Sequence, residues 1–234
     1  MRLGIYVEIN AMNQEQWTAI DHYISATVVP SDAALDAAIE ESNKAELPAI
    51  AVTPNQGKLL HILARLVNAR RILEIGTLGG YSTIWLARTL PNDGRLISLE
   101  LSPKHAEVAR SNVARAGLAK LVEIRVGAAL DSLPKLGAEN KGPFDLVFID
   151  ADKANIPEYF SWSLKLARQG SLIIVDNVVR KGAVIEAGSK DPDVQGVRRL
   201  NEMLSKEKRV TATTIQTVGS KGYDGMTIAL VNRL

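Results

Sequence analysis

The sequence predicts an α/β domain in which helices cover both faces of a mainly parallel β-sheet. From residue 71 onward, five short apolar runs of β-forming residues alternate with amphipathic segments of helical spacing, which is the pattern of repeated β-α-β units. The last two apolar runs are separated only by the turn-rich link GSKGY. Because so short a link joins neighbouring antiparallel strands, we expect the sheet to end in an antiparallel pair.

Each element has its own signal in the sequence. Ser31 and Asp32 can cap a helix over AALDAAIEESNKAEL, and Pro54 can open a second helix over PNQGKLLHILARLVNA. The five strands that follow are predicted over RILEIG, RLISLEL, LVEIRVG, FDLVFID and SLIIVDN. A helix over PDVQGVRRLNEMLSKEK then leads to the closing strands VTATTIQTV and DGMTIALV. The chain carries no linker, repeat or low-complexity segment, so we expect one domain over residues 1–234.

Composition excludes several classes of function. The 234 residues are 46% hydrophobic and 23% charged, as in ordinary globular proteins. The 28 basic and 26 acidic residues form no long run of like charge, so nucleic acid is not an expected partner. The absence of cysteine excludes disulfides and zinc-thiolate sites. No apolar run reaches the roughly 18 residues of a membrane span, and the start lacks a secretory signal. We therefore expect a cytoplasmic protein without a membrane partner, for which Met12 is an alternative start.

The glycine turn LEIGTLGGYS follows the first predicted strand and opens a helix. A dinucleotide fingerprint needs G-x-G-x-x-G, but counting from Gly76 the later glycine positions hold Leu78 and Tyr81. Glu74 would repel a phosphate but suits an ammonium group. The second strand ends at Glu100, where folds of this kind place a carboxylate on ribose hydroxyls. A ribose and an amino group without phosphates describe S-adenosylmethionine better than NAD. The alternative is a pair of solvated carboxylates.

Oxygen ligands gather at the ends of the fourth and fifth predicted strands. The fourth strand ends at Asp150, and the fifth ends at Asp176 and Asn177. Carboxyl ends of parallel strands meet at one edge of the sheet, so these side chains are expected to lie together. Oxygen-only ligands suit a hard cation such as Mg²⁺, with water or substrate oxygens completing the coordination. The alternative is that each aspartate caps a helix.

Four motifs in order, LEIGTLGGYS, FIDADK, VDN and DGMTIALV, resemble the cation-dependent O-methyltransferases of the caffeoyl-CoA and catechol type, in their small bacterial form. The resemblance covers roughly residues 45–234. It implies a Rossmann-like methyltransferase sheet of seven strands, S-adenosylmethionine as donor, Mg²⁺ or another divalent cation such as Mn²⁺ or Ca²⁺, and a homodimer. We expect residues 1–53 to form a helical segment on the acceptor side and residues 54–234 to form the cofactor-binding core.

The resemblance also implies roles for individual residues. Lys153 matches the family's catalytic base and Asp150 lies beside it, while Asp150, Asp176 and Asn177 match the metal ligands. The positions that match the cofactor contacts are Val52, Glu74, Gly76, Thr77, Ser82, Glu100, Ala129, Asp150 and Asp152. The alternative for Lys153 is a purely electrostatic pairing with Asp150 or Asp152.

The acceptor implied by the resemblance is a small catechol-type phenol. A phenol has an unperturbed pKa of about 10, which a divalent cation would lower so that Lys153 could take the proton. Arg180 and Lys181 stand where many relatives carry an aromatic residue and an amide. They suggest an acceptor with a carboxylate or phosphate, unless they belong to a solvated loop. A hydroxylated tRNA base is the second candidate acceptor, and a non-catalytic cofactor-binding protein is the third hypothesis.

Overall fold

The structure is a computed structural model that describes residues 13–232. Residues 1–12, which include the alternative start Met12, and residues 233–234 lie outside the described residues. The α-helices are α1 Gln14–Val28, α2 Ala33–Lys44, α3 Pro54–Leu66, α4 Tyr81–Ala87, α5 Pro103–Arg115, α6 Ala129–Ala138, α7 Ile156–Lys165 and α8 Pro192–Lys206. The strands are β1 Arg71–Ile75, β2 Arg95–Glu100, β3 Val122–Val126, β4 Phe144–Ile149, β5 Ala167–Asp176, β6 Val210–Gly219 and β7 Gly222–Val231. Short 3₁₀ helices cover Lys153–Asn155 and Arg180–Ile185.

The seven strands form one sheet in the order β3-β2-β1-β4-β5-β7-β6. Strands β1 to β5 are parallel, and β7 runs antiparallel to both β5 and β6. The predicted fold class is therefore confirmed, including the closing antiparallel pair. The chain moves outward from β1 through β2 to β3 and then returns to place β4 on the other side of β1. Ligands of such sheets bind at the carboxyl ends of the strands beside this reversal.

Both faces of the sheet are apolar because successive strand residues point to opposite sides. Leu73 and Ile75 of β1 belong to one buried cluster, which α6, α7 and α8 complete. Ile72 of the same strand belongs to a second cluster, which α3 and α4 complete. Within residues 13–232, no helix is long and apolar enough to cross a membrane.

The predicted helix starts agree with the structure. Asp32 caps α2 by accepting hydrogen bonds from the amides of Ala34 and Leu35. Thr53 and Gln56 form a capping box at the start of α3, with Pro54 at its first position. These caps fix the entry of both helices into the fold.

The C-terminal hairpin is tighter than the sequence predicts. The expected link was GSKGY, but β6 continues to Gly219 and β7 already begins at Gly222. Only Ser220 and Lys221 remain in the turn. The reason is that two glycines flank it, and Gly222 has a φ of +94°, a conformation that glycine adopts without strain.

Candidate active site

The glycine turn after β1 lies directly against the end of β4. Parallel pairing places Ile75 of β1 opposite Ile149 of β4, and the Asp150 amide donates a hydrogen bond to the Ile75 carbonyl at 2.8 Å. Gly76 has a φ of +98°, and a Cβ atom on it would lie 2.2 Å from the Asp150 carbonyl oxygen. A side chain does not fit there, so the turn and the end of β4 form one continuous surface.

A cavity of about 1050 Å³ opens on this surface. Most of the predicted site residues line it, namely Val52, Gly76, Thr77, Ser82, Glu100, Ala129, Asp150, Asp152, Lys153, Asn177 and Arg180. Three predicted residues, Glu74, Asp176 and Lys181, are outside this lining. Glu74 and Asp176 are buried, whereas Lys181 is exposed to solvent.

Glu100 at the end of β2 organises the glycine turn. Its Oε2 atom accepts hydrogen bonds from the amides of Thr77 at 3.1 Å and Leu78 at 2.9 Å. Its Oε1 atom accepts one from the Ser102 amide at 2.9 Å and lies 3.5 Å from the His105 ring. The carboxylate is therefore held in one orientation while it borders the cavity.

Glu74 is fully buried behind the cavity and accepts hydrogen bonds from three hydroxyl groups. The donors are Ser82 at 2.6 Å, Thr83 at 2.5 Å and Ser98 at 2.6 Å. Burial raises the pKa of Glu74 to about 7, against the opposing effect of the three hydroxyls. Ser82 lines the cavity and donates to Glu74, which is itself outside the lining. The sequence did not indicate that Thr83 and Ser98 donate hydrogen bonds to Glu74.

The predicted oxygen ligands meet at the ends of β4 and β5. Parallel pairing sets Ile149 opposite Val175, so Asp150 and Asp176 follow on neighbouring strands. Asp176 is 3% exposed, and burial, together with the negative charge of Asp150, raises its pKa. The backbone N–H of Asn177 donates a hydrogen bond to the Asp176 carboxylate at 2.8 Å.

The chemistry of this edge suits a divalent cation. Asp150 and Asp176 repel each other, and the Lys153 ammonium lies 2.8 Å from Asp150. Within residues 13–232, no group of three or more His, Cys, Asp or Glu side chains has metal-binding geometry. A cation site here therefore depends on the Asn177 amide oxygen as its third protein ligand, with water or ligand oxygens in addition.

Lys153 is positioned by helix α8 as well as by Asp150. It opens the 3₁₀ helix after β4 and is 6% exposed. Gly196 of α8 packs against its backbone, since a Cβ atom on Gly196 would lie 2.0 Å from the Lys153 carbonyl oxygen. Gly196 was not predicted as a site residue. The signal was present, because a glycine inside a helix is unfavourable and often reflects close packing.

Asp152 is held by its own segment of chain. Its carboxylate accepts hydrogen bonds from the Asn155 side chain at 2.6 Å and from the Tyr159 hydroxyl. Burial and this bond to Asp152 raise the pKa of Tyr159 above its usual range. Asp152 therefore stays fixed at the cavity wall beside Lys153.

Two further cationic side chains, on different elements, line the cavity. The Arg180 guanidinium lies 3.3 Å from Asp193, and both residues line the cavity. Lys221 of the hairpin turn also lines it, and its ammonium donates a hydrogen bond to the Ala51 carbonyl. Burial lowers the pKa of Lys221, while the charges of Asp150 and Asp176 act in the opposite direction. Lys221 was missed because GSKGY was interpreted only as a link.

Comparison with known proteins agrees with this geometry. The chain matches the family model described as O-methyltransferase over residues 23–232. It is 54% identical over 220 residues to the catechol O-methyltransferase of Niastella koreensis, a match that covers 94% of this chain and 100% of that protein.

Solved structures of O-methyltransferases have the same fold. An O-methyltransferase from Bacillus cereus in complex with SAH superposes with a TM-score of 0.93 at 55% identity, covering 94% of this chain and 100% of that one. The O-methyltransferase TomG from Streptomyces achromogenes, in complex with SAM, superposes with a TM-score of 0.92 at 56% identity, covering 94% and 99%.

The raised pKa of Glu74 predicts a pH-dependent loss of stability. Its pKa is about 7 in the folded protein against an ordinary 4.5, so the folded state keeps a proton that the unfolded state has released. The resulting stabilisation is complete below pH 4.5 and is lost as the pH rises through 7, a change of about 3 kcal/mol. Urea unfolding at pH 5 and pH 8 measures it.

The variant Glu74→Gln isolates this contribution. It is expected to gain about 2.5 kcal/mol relative to the wild type between the two pH values, since its amide does not titrate. Glu202→Gln on the exposed face of α8 is the control and should follow the wild type. Equal pH dependence in all three proteins would contradict the assignment.

Proposed function

The chain belongs to the O-methyltransferase family and is an S-adenosylmethionine-dependent enzyme, and we propose that it methylates a hydroxyl of a catechol-type small molecule with the help of a divalent cation. The observation that carries this proposal is the edge where Asp150, Asp176 and Lys153 lie together beside the cavity. The name of the 54% identical relative supports the catechol part.

We propose that Asp150, Asp176 and Asn177 hold the cation. When bound, the cation would lower the pKa of an acceptor hydroxyl, as metals do for water. The two carboxylates offset its charge, which keeps the acceptor oxygen nucleophilic. Two neighbouring hydroxyls on an aromatic ring suit such a site, because both oxygens can approach one cation.

Lys153 is the proposed base. Its ammonium pairs with Asp150 at 2.8 Å, and Asp150 is also a proposed cation ligand. A divalent cation on Asp150 would compete with the Lys153 ammonium for that carboxylate. The amine could then take the acceptor proton, and its near-complete burial keeps water away from this transfer.

The cofactor is proposed to lie along the glycine turn. Glu100 borders the cavity where ribose hydroxyls bind in folds of this kind, while Ala129 and Val52 line the cavity wall. Ser82, held by Glu74, and Asp152, held by Tyr159, offer fixed polar groups for the methionine part. When bound, S-adenosylmethionine supplies a methyl group on a sulfonium. A dry, preorganised pocket favours this transfer because charge disappears in the transition state.

The direct test is methyl transfer from S-adenosylmethionine to catechol, measured with Mg²⁺ and with excess chelator. We expect transfer that the chelator abolishes and that added Mg²⁺ restores, since the acceptor hydroxyl is otherwise protonated at neutral pH. Bulk tRNA serves as the competing acceptor. Transfer that survives the chelator would overturn the cation roles, and transfer to tRNA alone would overturn the small-molecule acceptor.

Replacement of Lys153 distinguishes a base from an electrostatic partner. We expect Lys153→Ala to lower kcat by roughly 10² to 10⁴ fold. Lys153→Arg should be equally impaired, because an arginine keeps the charge but does not release its proton. Lys206→Ala, on the exposed surface of α8, is the control. Recovery of activity in the arginine variant would favour the electrostatic role instead.

We also propose that the enzyme works as a homodimer. Tyr23 of α1 is 70% exposed, and Ile215 and Val218 of the edge strand β6 are 40% and 50% exposed. These apolar side chains and the edge of β6, which pairs with no other strand among residues 13–232, offer a surface for a second copy. Light scattering after size exclusion should give twice the chain mass of 25.4 kDa, and a single chain mass at micromolar concentration would contradict the proposal.

A further inference from the structure

The cationic side chains around the cavity differ in whether they have a carboxylate partner. Lys153 pairs with Asp150, and Arg180 pairs with Asp193. Lys221 forms no ion pair with any residue of the described range 13–232. Its ammonium donates to a backbone carbonyl, that of Ala51, which uses one of its three donors.

The backbone that carries Lys221 is fixed in place by the N-terminal helix. The Asp21 carboxylate of α1 accepts hydrogen bonds from the Ser220 amide at 2.8 Å and the Ser220 hydroxyl at 3.0 Å. Its other oxygen accepts one from the Asn55 side chain of α3 at 2.8 Å. The approach is close, since a Cβ atom on Gly219 would lie 2.4 Å from Asp21. The two-residue turn is therefore a rigid support for the lysine.

This support places Lys221 in the cavity wall. Lys221 shares the cavity with Asp150 and Asn177, and the charges of Asp150 and Asp176 reach it. A divalent cation on these two carboxylates would neutralise them. The Lys221 ammonium would then have no counter-charge among the described residues, whereas Lys153 and Arg180 pair with Asp150 and Asp193.

We infer that Lys221 is a specificity-determining residue that binds a carboxylate on the acceptor, so that the preferred acceptors are dihydroxylated aromatic acids. This inference rests on the proposed catechol O-methyltransferase function and names its substrate class. A single ammonium with two remaining donors suits the single negative charge of a carboxylate. Lys181, which the sequence suggested for this task, is outside the cavity lining, whereas Lys221 belongs to it.

The test compares 3,4-dihydroxybenzoate with the neutral 4-methylcatechol in the wild type, Lys221→Gln and Lys221→Arg. We expect Lys221→Gln to raise the KM for the acid by at least ten times more than the KM for the neutral catechol. Lys221→Arg should restore most of the preference because it keeps the charge. The wild-type preference for the acid should also fall as salt is added. Lys206→Gln is the matched control for loss of one lysine charge at the surface.

Binding and stability measurements keep the outcomes distinct. Calorimetric titration of 3,4-dihydroxybenzoate into each variant, with Mg²⁺ and S-adenosylhomocysteine present, reports acid recognition without turnover. An equal loss of affinity for both catechols, or no loss for either, in Lys221→Gln would overturn the inference. If the equal loss comes with a lowered Tm, the lysine instead stabilises the segment around Ala51. If the wild type binds the acid through Lys221 but methylates no catechol, the proposed function fails while the carboxylate site stands.

Discussion

The backbone of Gly76 passes so close to Asp150 that no side chain fits between them, and the arrangement of the active site depends on this contact. It joins the end of β1 to the end of β4 at the point where the strand order reverses. The glycine turn on one side offers amides and hydroxyls, and the aspartates on the other side offer negative charge. A larger residue at position 76 would push the two surfaces apart, and with them the two reactants that they are proposed to hold.

Buried acids dominate the site, and each is stabilised by a different kind of partner. Glu100 accepts hydrogen bonds from backbone amides, whereas Glu74 accepts them from three hydroxyls. Asp176 accepts a hydrogen bond from the backbone N–H of Asn177. Its burial and the nearby charge of Asp150 nevertheless raise its pKa. Glu74 and Glu100 are thus stabilised by hydrogen bonds within the described residues, while the ends of β4 and β5 bring two carboxylates together, whose repulsion a cation would relieve.

The fold and the strand-end residues of the cavity were predictable because both follow from local patterns, whereas Val52, Ser82 and Ala129 were predicted only from the family resemblance. Alternating apolar runs and amphipathic helices define a parallel sheet, and strand ends then place Glu100, Asp150 and Asn177 at one edge. The predicted enzyme class and methyl donor are also confirmed, since the relatives are O-methyltransferases and the solved structures contain SAH or SAM. The non-catalytic alternative is set aside by the same family match. The buried position of Glu74 and the contact of Lys221 with Ala51 were not predictable, because both depend on tertiary hydrogen bonds for which hydrophobic periodicity carries no signal. The packing of Gly196 on the Lys153 backbone is also a tertiary contact, although a glycine inside a helix is a signal of close packing.

We propose that the carboxyl ends of β4 and β5 hold one divalent cation through oxygen ligands of this chain. Titration with Mn²⁺, followed by the loss of its free electron paramagnetic resonance signal, measures this binding without any acceptor or turnover. We expect about one Mn²⁺ bound per chain in the wild type, loss of that binding in Asp176→Ala, and its retention in Asp193→Ala, which removes another carboxylate of the same cavity. Equal Mn²⁺ binding in Asp176→Ala and the wild type would contradict it.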